Sequence, residues 1–249
     1  MPFRNLNLPR AAFLLLALTS TSLAAPYDEG LRALLSGQPD VAVNLLKDQK
    51  DAPSLAVLAR AYVGQSLFVK TPEEKKPLFA ASEAAARASL AIDANNAEAH
   101  IELANALALQ LQGVGVVKAT QTGLEIKRLF EQAAQLDPKQ ARAWLGLGVW
   151  HAQALSLGSF VAFASGASET TMRQDHRRAI ELDPNEVFYR LSYADSLLLL
   201  AKSNASRATA LKQEARSILQ NAAALKPQTY WQRYDSKQVQ TRLKELGGG

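Results

Sequence analysis

Three histidines, His100, His151 and His176, are the side chains of this chain best suited to acid–base or metal chemistry. A helical zinc site needs two histidines four residues apart, or histidine beside clustered carboxylates. No two of the three stand at that spacing, so packing and local hydrogen bonding are expected instead, with no bound metal. Gly113-Val-Gly115 is a fragment of a phosphate loop, but it lacks the third glycine, the Lys-Ser/Thr ending and a preceding strand. The absence of cysteine excludes disulfides, thiolate metal sites, a cysteine nucleophile and a lipid-bearing cysteine. Asn204-Ala-Ser206 matches a glycosylation acceptor, a motif short enough to arise by chance. Trp144 and Trp150 fall at apolar helix positions and are expected in the core. These residues imply no enzyme, no cofactor and no metal.

The elements that carry these residues are helical. Ala and Leu dominate the composition, and β-branched and aromatic residues are sparse. Four closing elements, Ile92-Asp93-Ala94, Leu136-Asp137-Pro138, Leu182-Asp183-Pro184 and Leu225-Lys226-Pro227, recur at intervals of 44, 46 and 43 residues. Before each lies a pattern of small and large residues, as in Phe130-x2-Ala133-x4-Pro138 and Ala215-x3-Leu219-x2-Ala222-x4-Pro227. Each unit opens with large residues three and four apart, on one helical face. Examples are Leu55, Leu58 and Tyr62, then Trp144, Leu147 and His151. The expected units are 52–94, 97–138, 141–184 and 187–227, each a pair of antiparallel helices. Tyr27 to Leu35 and Val41 to Lys47 read as a partial pair before them. A capping helix is expected at 236–246, with Ser236 as N-cap.

This pattern resembles the tetratricopeptide-repeat family, whose usual unit is about 34 residues. The resemblance implies an all-α, right-handed superhelical array of antiparallel helix pairs, here of about four enlarged repeats plus terminal helices. The order Ile126-Lys-Arg-Leu-Phe130-Glu-Gln-Ala, Trp144-Leu-Gly-Leu-Gly-Val-Trp150-His151 and Phe160-Val-Ala-Phe163 is also similar to the regulator of microtubule dynamics family and its bacterial exported relatives. That resemblance implies a non-enzymatic repeat domain, associated in some members with lipid binding or membrane contact. A microtubule role does not carry over to a chain with this kind of leader.

The leader is the first 24 residues. Arg4 and Arg10 make a basic start, Ala11 to Leu18 a short apolar stretch, and Ser22-Leu23-Ala24 a small-x-small ending. Cleavage is expected after Ala24, since a cut after Ala25 would leave Pro26 next to it. An uncleaved anchor is the alternative, but so short a stretch does not span about 30 Å of hydrocarbon. The mature chain is then expected in the periplasm or secreted. Without Arg4 and Arg10 the 28 basic residues fall to 26 against 23 acidic, and no dense Lys/Arg block points to nucleic acid.

Two features point to function. The segments from Leu109 to Gly123 and from Leu155 to Ser168 are apolar, with Lys118 their sole charge. They either extend the helices and pack on one another, or wall a pocket with Phe160 and Phe163. The repeat register places Arg60, Ile101, Asn105, Arg142, Leu145, Val149, Leu191 and Asp195 on the concave face. An apolar centre with sparse polar groups suits a hydrophobic small molecule, such as a lipid or fatty acid, or a segment of a protein partner. Peripheral membrane contact fits the same surface. A structural adaptor of an envelope complex and an accessory subunit of a solute transporter are the other readings.

Overall fold

The computed structural model describes residues 24–111 and 116–247, and these are all helix, turn or loop. Five antiparallel pairs follow one another along the chain. The first is α1 (Ala24–Leu35) with α2 (Pro39–Leu46); the second is α3 (Ala52–Ser66) with α4 (Pro72–Ile92). Then come α5 (Ala97–Leu109) with α6 (Val116–Leu136), and α7 (Ala141–Ser156) with α9 (Glu169–Leu182). The short α8 (Ser159–Ser165) stands between the last two and packs on α7. Finally α10 (Val187–Ser203) pairs with α11 (Ala208–Ala223) through the 3-10 turn Ala205–Arg207, and α12 (Tyr230–Gly247) packs on both. Residues 1–23 of the leader and Gly113-Val-Gly115 lie outside the described residues. No helix among the described residues is long and apolar enough to cross a membrane.

Local chemistry sets the helix ends. Asp51, Asn96 and Ser168 each accept a hydrogen bond from the backbone N–H three residues on, capping α3, α5 and α9. Thr71 and Glu74 form a reciprocal capping box over α4, with Pro72 at its first position. The Asp of the closing elements turns the chain: Asp93 Oδ1 accepts from Asn95 N, and Asp137 Oδ1 from Lys139 N, both at 3.0 Å.

The C-terminal helix starts earlier than expected. Ser236 is inside α12, its hydroxyl donating to the Gln232 carbonyl at 2.7 Å. The cap is instead Thr229, which accepts from Gln232 N at 3.1 Å, while Gln232 Oε1 accepts from Thr229 N and Gln228 N. This capping box lies just after Pro227, where a helix can begin.

The repeat core works by size complementarity. Ala86, Ala133, Ala179 and Ala222 are fully buried on the second helices of their pairs. On α7, a Cβ at Gly148 would come within 2.8 Å of the buried His176 ring, so glycine admits that ring. Ala133→Leu, Ala179→Leu and Ala222→Leu are each expected to lower stability by about 1–3 kcal/mol in urea unfolding, because the added atoms have no space. Wild-type midpoints in all three variants would refute this packing.

The array also closes on itself. Trp231 Nε1 on α12 donates to the Leu34 carbonyl of α1 at 2.7 Å, across 197 residues of sequence. The Trp231 ring meets Phe68, after α3, edge-on at 6.2 Å. Tyr230 lies over Gly37, whose φ of +77° suits glycine and whose missing side chain leaves room for the ring. The last helix thus reaches back from the fifth pair to the first.

Candidate functional site

The concave face is built by α3, α5, α7 and α10, with α12 along its C-terminal end, and it has two unlike halves. In the N-terminal half, Arg142 of α7 donates to both Glu98 and Glu102 of α5. Arg60 of α3 approaches Glu98 at 3.7 Å, Gln140 donates to Glu98 at 3.4 Å and Asn105 to Glu102 at 3.4 Å. Glu102 is only 1% exposed. Burial works against the Arg142 charge, but the paired Glu102 and Glu98 outweigh it and hold its pKa above the ordinary value. Burial likewise pushes Glu98 up, but Arg142 and Arg60 outweigh it and bring its pKa down. Glu102 is pushed up by burial, which Arg142 only partly offsets. The Arg142 charge, then burial, depresses Arg60. This half is therefore a closed network of two cations and two carboxylates.

The network changes the part expected of Arg142, whose donors are spent on protein carboxylates. Ile101, Leu145 and Leu191 are buried among neighbouring helices instead of lining an open surface. Val149 and Asp195 remain partly exposed.

Those two belong to the C-terminal half, a cleft of about 530 Å³ between α7, α10, α11 and α12. Val149, Ala152, Leu198, Leu199 and Leu246 supply its apolar wall. Asp195 is matched by Arg242, whose Nε donates to it at 2.8 Å while Nη1 donates to Glu245 at 3.2 Å. Lys202 and Lys212 complete the rim, are exposed, and have no ion-pair partner among the described residues. Sequence reasoning missed Leu198, Leu199, Lys202, Lys212, Arg242 and Leu246. Their signal was faint: the cleft depends on where α12 lies.

The histidines are packing residues. His100 Nε2 contacts the Ala94 carbonyl at 2.9 Å. His176 is fully buried, stacked on Tyr193 at 4.9 Å and bonded to Ser196 at 2.9 Å; burial drops its pKa to about 3. His151 Nδ1 accepts from Ser168 N at 3.3 Å, and its Nε2 is 3.8 Å from Asp175 Oδ2. Burial, then the Lys127 charge, lowers His151 to about 4. Burial, then the Glu131 charge, raises Asp175 to about 7. Both shifts favour the neutral forms, an imidazole beside a carboxylic acid. No metal-binding group of three such side chains occurs among the described residues.

The apolar insert does not wall the cleft. Leu157, Phe160 and Phe163, on and before α8, are 71%, 81% and 88% exposed. Ala162 is the buried residue of α8, and the two rings lie on its solvent side.

Comparison with known proteins agrees with this architecture. The family described as regulator of microtubule dynamics protein 1-3 matches residues 33–247. A thermophilic TPR protein of Thermus thermophilus, TTC0263, is similar in structure, with a TM-score of 0.61 at 15% identity, covering 87% of this chain and 98% of that one. PilF of Pseudomonas aeruginosa is similar at a TM-score of 0.49 and 19% identity, over 90% of this chain and 91% of that one. No curated protein sequence matches.

Proposed function

The chain belongs to the regulator of microtubule dynamics protein 1-3 family, and we propose that it is an exported, non-enzymatic scaffold whose binding surface is the C-terminal half of the concave face. The observation that carries this reading is the cleft of about 530 Å³, apolar on its wall and edged by the exposed Lys202 and Lys212. Its size lies within the range of small-molecule sites, about 300–1,000 Å³. An acyl chain would lie against Val149, Leu198, Leu199 and Leu246, with an acidic head beside the two lysines. A partner protein's amphipathic segment with an acidic edge presents the same chemistry. Binding would come from apolar burial, at about 25 cal/mol per Å². The two lysines add orientation and preference for a negative head.

Val149→Asp and Leu198→Asp are expected to weaken a fluorescent fatty-acid probe at least tenfold with unchanged circular dichroism, since a carboxylate loses its hydration beside an acyl chain. Lys202→Glu with Lys212→Glu should weaken an anionic probe and spare a neutral one of equal length. Equal binding by wild type and all the folded variants would remove the cleft from consideration. Native mass spectrometry of the purified protein, with lipid extraction, separates a carried lipid from a protein partner. Export rests on the leader sequence. N-terminal sequencing of mature protein should begin at Ala25, and Met1 on membrane-bound protein would contradict it.

The adaptor reading has an observation of its own, the solvent-facing Phe160 and Phe163 of α8. Phe160→Ser with Phe163→Ser should leave fatty-acid binding intact. If it instead abolishes capture of an envelope complex, the chain acts as an adaptor through α8.

A further inference from the structure

The seam between α1 and α12 holds a second cleft, of about 370 Å³, lined by the first turns of α12, whereas the concave-face site takes the last turns of that helix. Its lining includes Arg32 and Ser36 from one end of the chain and Thr229, Tyr230 and Arg233 from the other, and contains no Asp or Glu. Arg32 Nε donates to the Asp28 carbonyl at 3.2 Å, and Arg233 Nη1 to the Gln228 carbonyl at 3.2 Å. Neither guanidinium has a carboxylate partner among the described residues, unlike Arg142, Arg173, Arg207 and Arg242. Two arginines from opposite ends of the fold thus meet one cleft with most of their donors unused. The seam itself is held by the Trp231–Leu34 hydrogen bond and by the Tyr230 ring over Gly37.

We infer that this seam is a binding site for a phosphate-type oxyanion, held jointly by Arg32 and Arg233. A guanidinium presents paired N–H donors whose geometry matches phosphate oxygens, and a dianion between the two pairs with both charges. The hydroxyls of Ser36 and Tyr230 supply further donors. The backbone amides of Gln228, Thr229 and Gln232 do not, because Gln232 Oε1 and Thr229 Oγ1 already accept from them. Because the two arginines sit on different helices, anion binding and closure of the seam are thermodynamically linked. The oxyanion could be supplied by free phosphate or by a phospholipid headgroup.

The full chain is titrated with sodium phosphate against sodium chloride at matched ionic strength, following thermal unfolding. The expected result is a saturating upward shift with phosphate alone, lost in Arg32→Ala and in Arg233→Ala, and reduced in the Lys variants, which keep the charge without the fork. Spin labels at Glu29→Cys and Lys237→Cys, in a chain with no cysteine of its own, should report a narrower distance distribution with phosphate. Flotation with phosphatidic acid vesicles identifies the source. Flotation lost in both Ala variants assigns a lipid headgroup, and no flotation with the phosphate shift intact assigns free phosphate. A thermal shift equal in phosphate and chloride, or one that persists in both Ala variants, would overturn the site. Neither readout depends on the fatty-acid cleft, so failure of one proposal leaves the other standing.

Discussion

Arg142→Ala is expected to destabilise the fold by about 3–5 kcal/mol, the usual cost of stranding a buried charge by removing its partner. Arg142 is the cation that Glu102 faces, and Glu102 is almost completely enclosed. Without it, burial and the neighbouring Glu98 charge both act to raise the Glu102 pKa. A folded-state pKa above the unfolded value means that the native state binds more protons, so the variant should regain stability as pH falls. Urea unfolding from pH 8 to pH 5 would show this recovery. A loss below about 1 kcal/mol with no pH dependence would mean that the network is not a buried ion-pair cluster. Replacing Arg142 and Glu102 together by apolar residues should recover part of the loss, since a network removed with its partners strands less charge.

Asp175→Asn is expected to raise stability at pH 8, on the order of 3 kcal/mol. Asp175 is buried, its Oδ2 has no hydrogen-bond partner among the described residues, and its pKa is pushed to about 7. A carboxyl raised in this way contributes full stability below about pH 4, where it is protonated in both states. That contribution is lost as pH rises through about 7. At pH 8 the wild type holds a buried carboxylate, whereas Asn holds none. The two proteins should converge towards pH 4. His151, lowered to about 4, gives the opposite slope, with stability rising from about pH 4 to 6.5. It is present in both chains and so cancels in their difference. If Asn is no more stable at pH 8, Asp175 is held by a charged His151 instead.

The repeat architecture was legible because its signal is local. Ala133, Ala179 and Ala222 with their large neighbours repeat at helical spacing, and Asp and Pro mark the closures. The concave face was only half legible. Register shows which side a residue occupies, but not whether the next unit covers it, as happens at Ile101, Leu145 and Leu191. Glu98 was missed for the same reason, since it and Arg142 lie 44 residues apart in sequence. Yet both are the second residue of their helices, and opposite charges at one register position in successive units are a readable sign of a rung across the groove. The insert was ambiguous for a different reason: an apolar stretch such as Leu155 to Ser168 looks alike whether it turns inward or stays in solvent. The start of α12 was misplaced because Ser236 is a plausible cap by type alone, whereas the Thr229–Gln232 box is recognisable only as a reciprocal pair.

The bond from Trp231 to the Leu34 carbonyl bears on how this sequence can evolve. An open solenoid gains or loses whole units at little cost, because each unit touches only its neighbours. Here an added unit would also break the contact between the two ends. Duplicating the segment 97–138 would add another increment of superhelical rotation and carry α12 away from α1, leaving Tyr230 without its glycine and Trp231 without its acceptor. A chain built this way can lengthen a unit internally, by extending a helix or inserting one as small as α8, more readily than it can add one. The 43–46-residue spacing of its closing elements is what growth within a fixed number of repeats would leave behind.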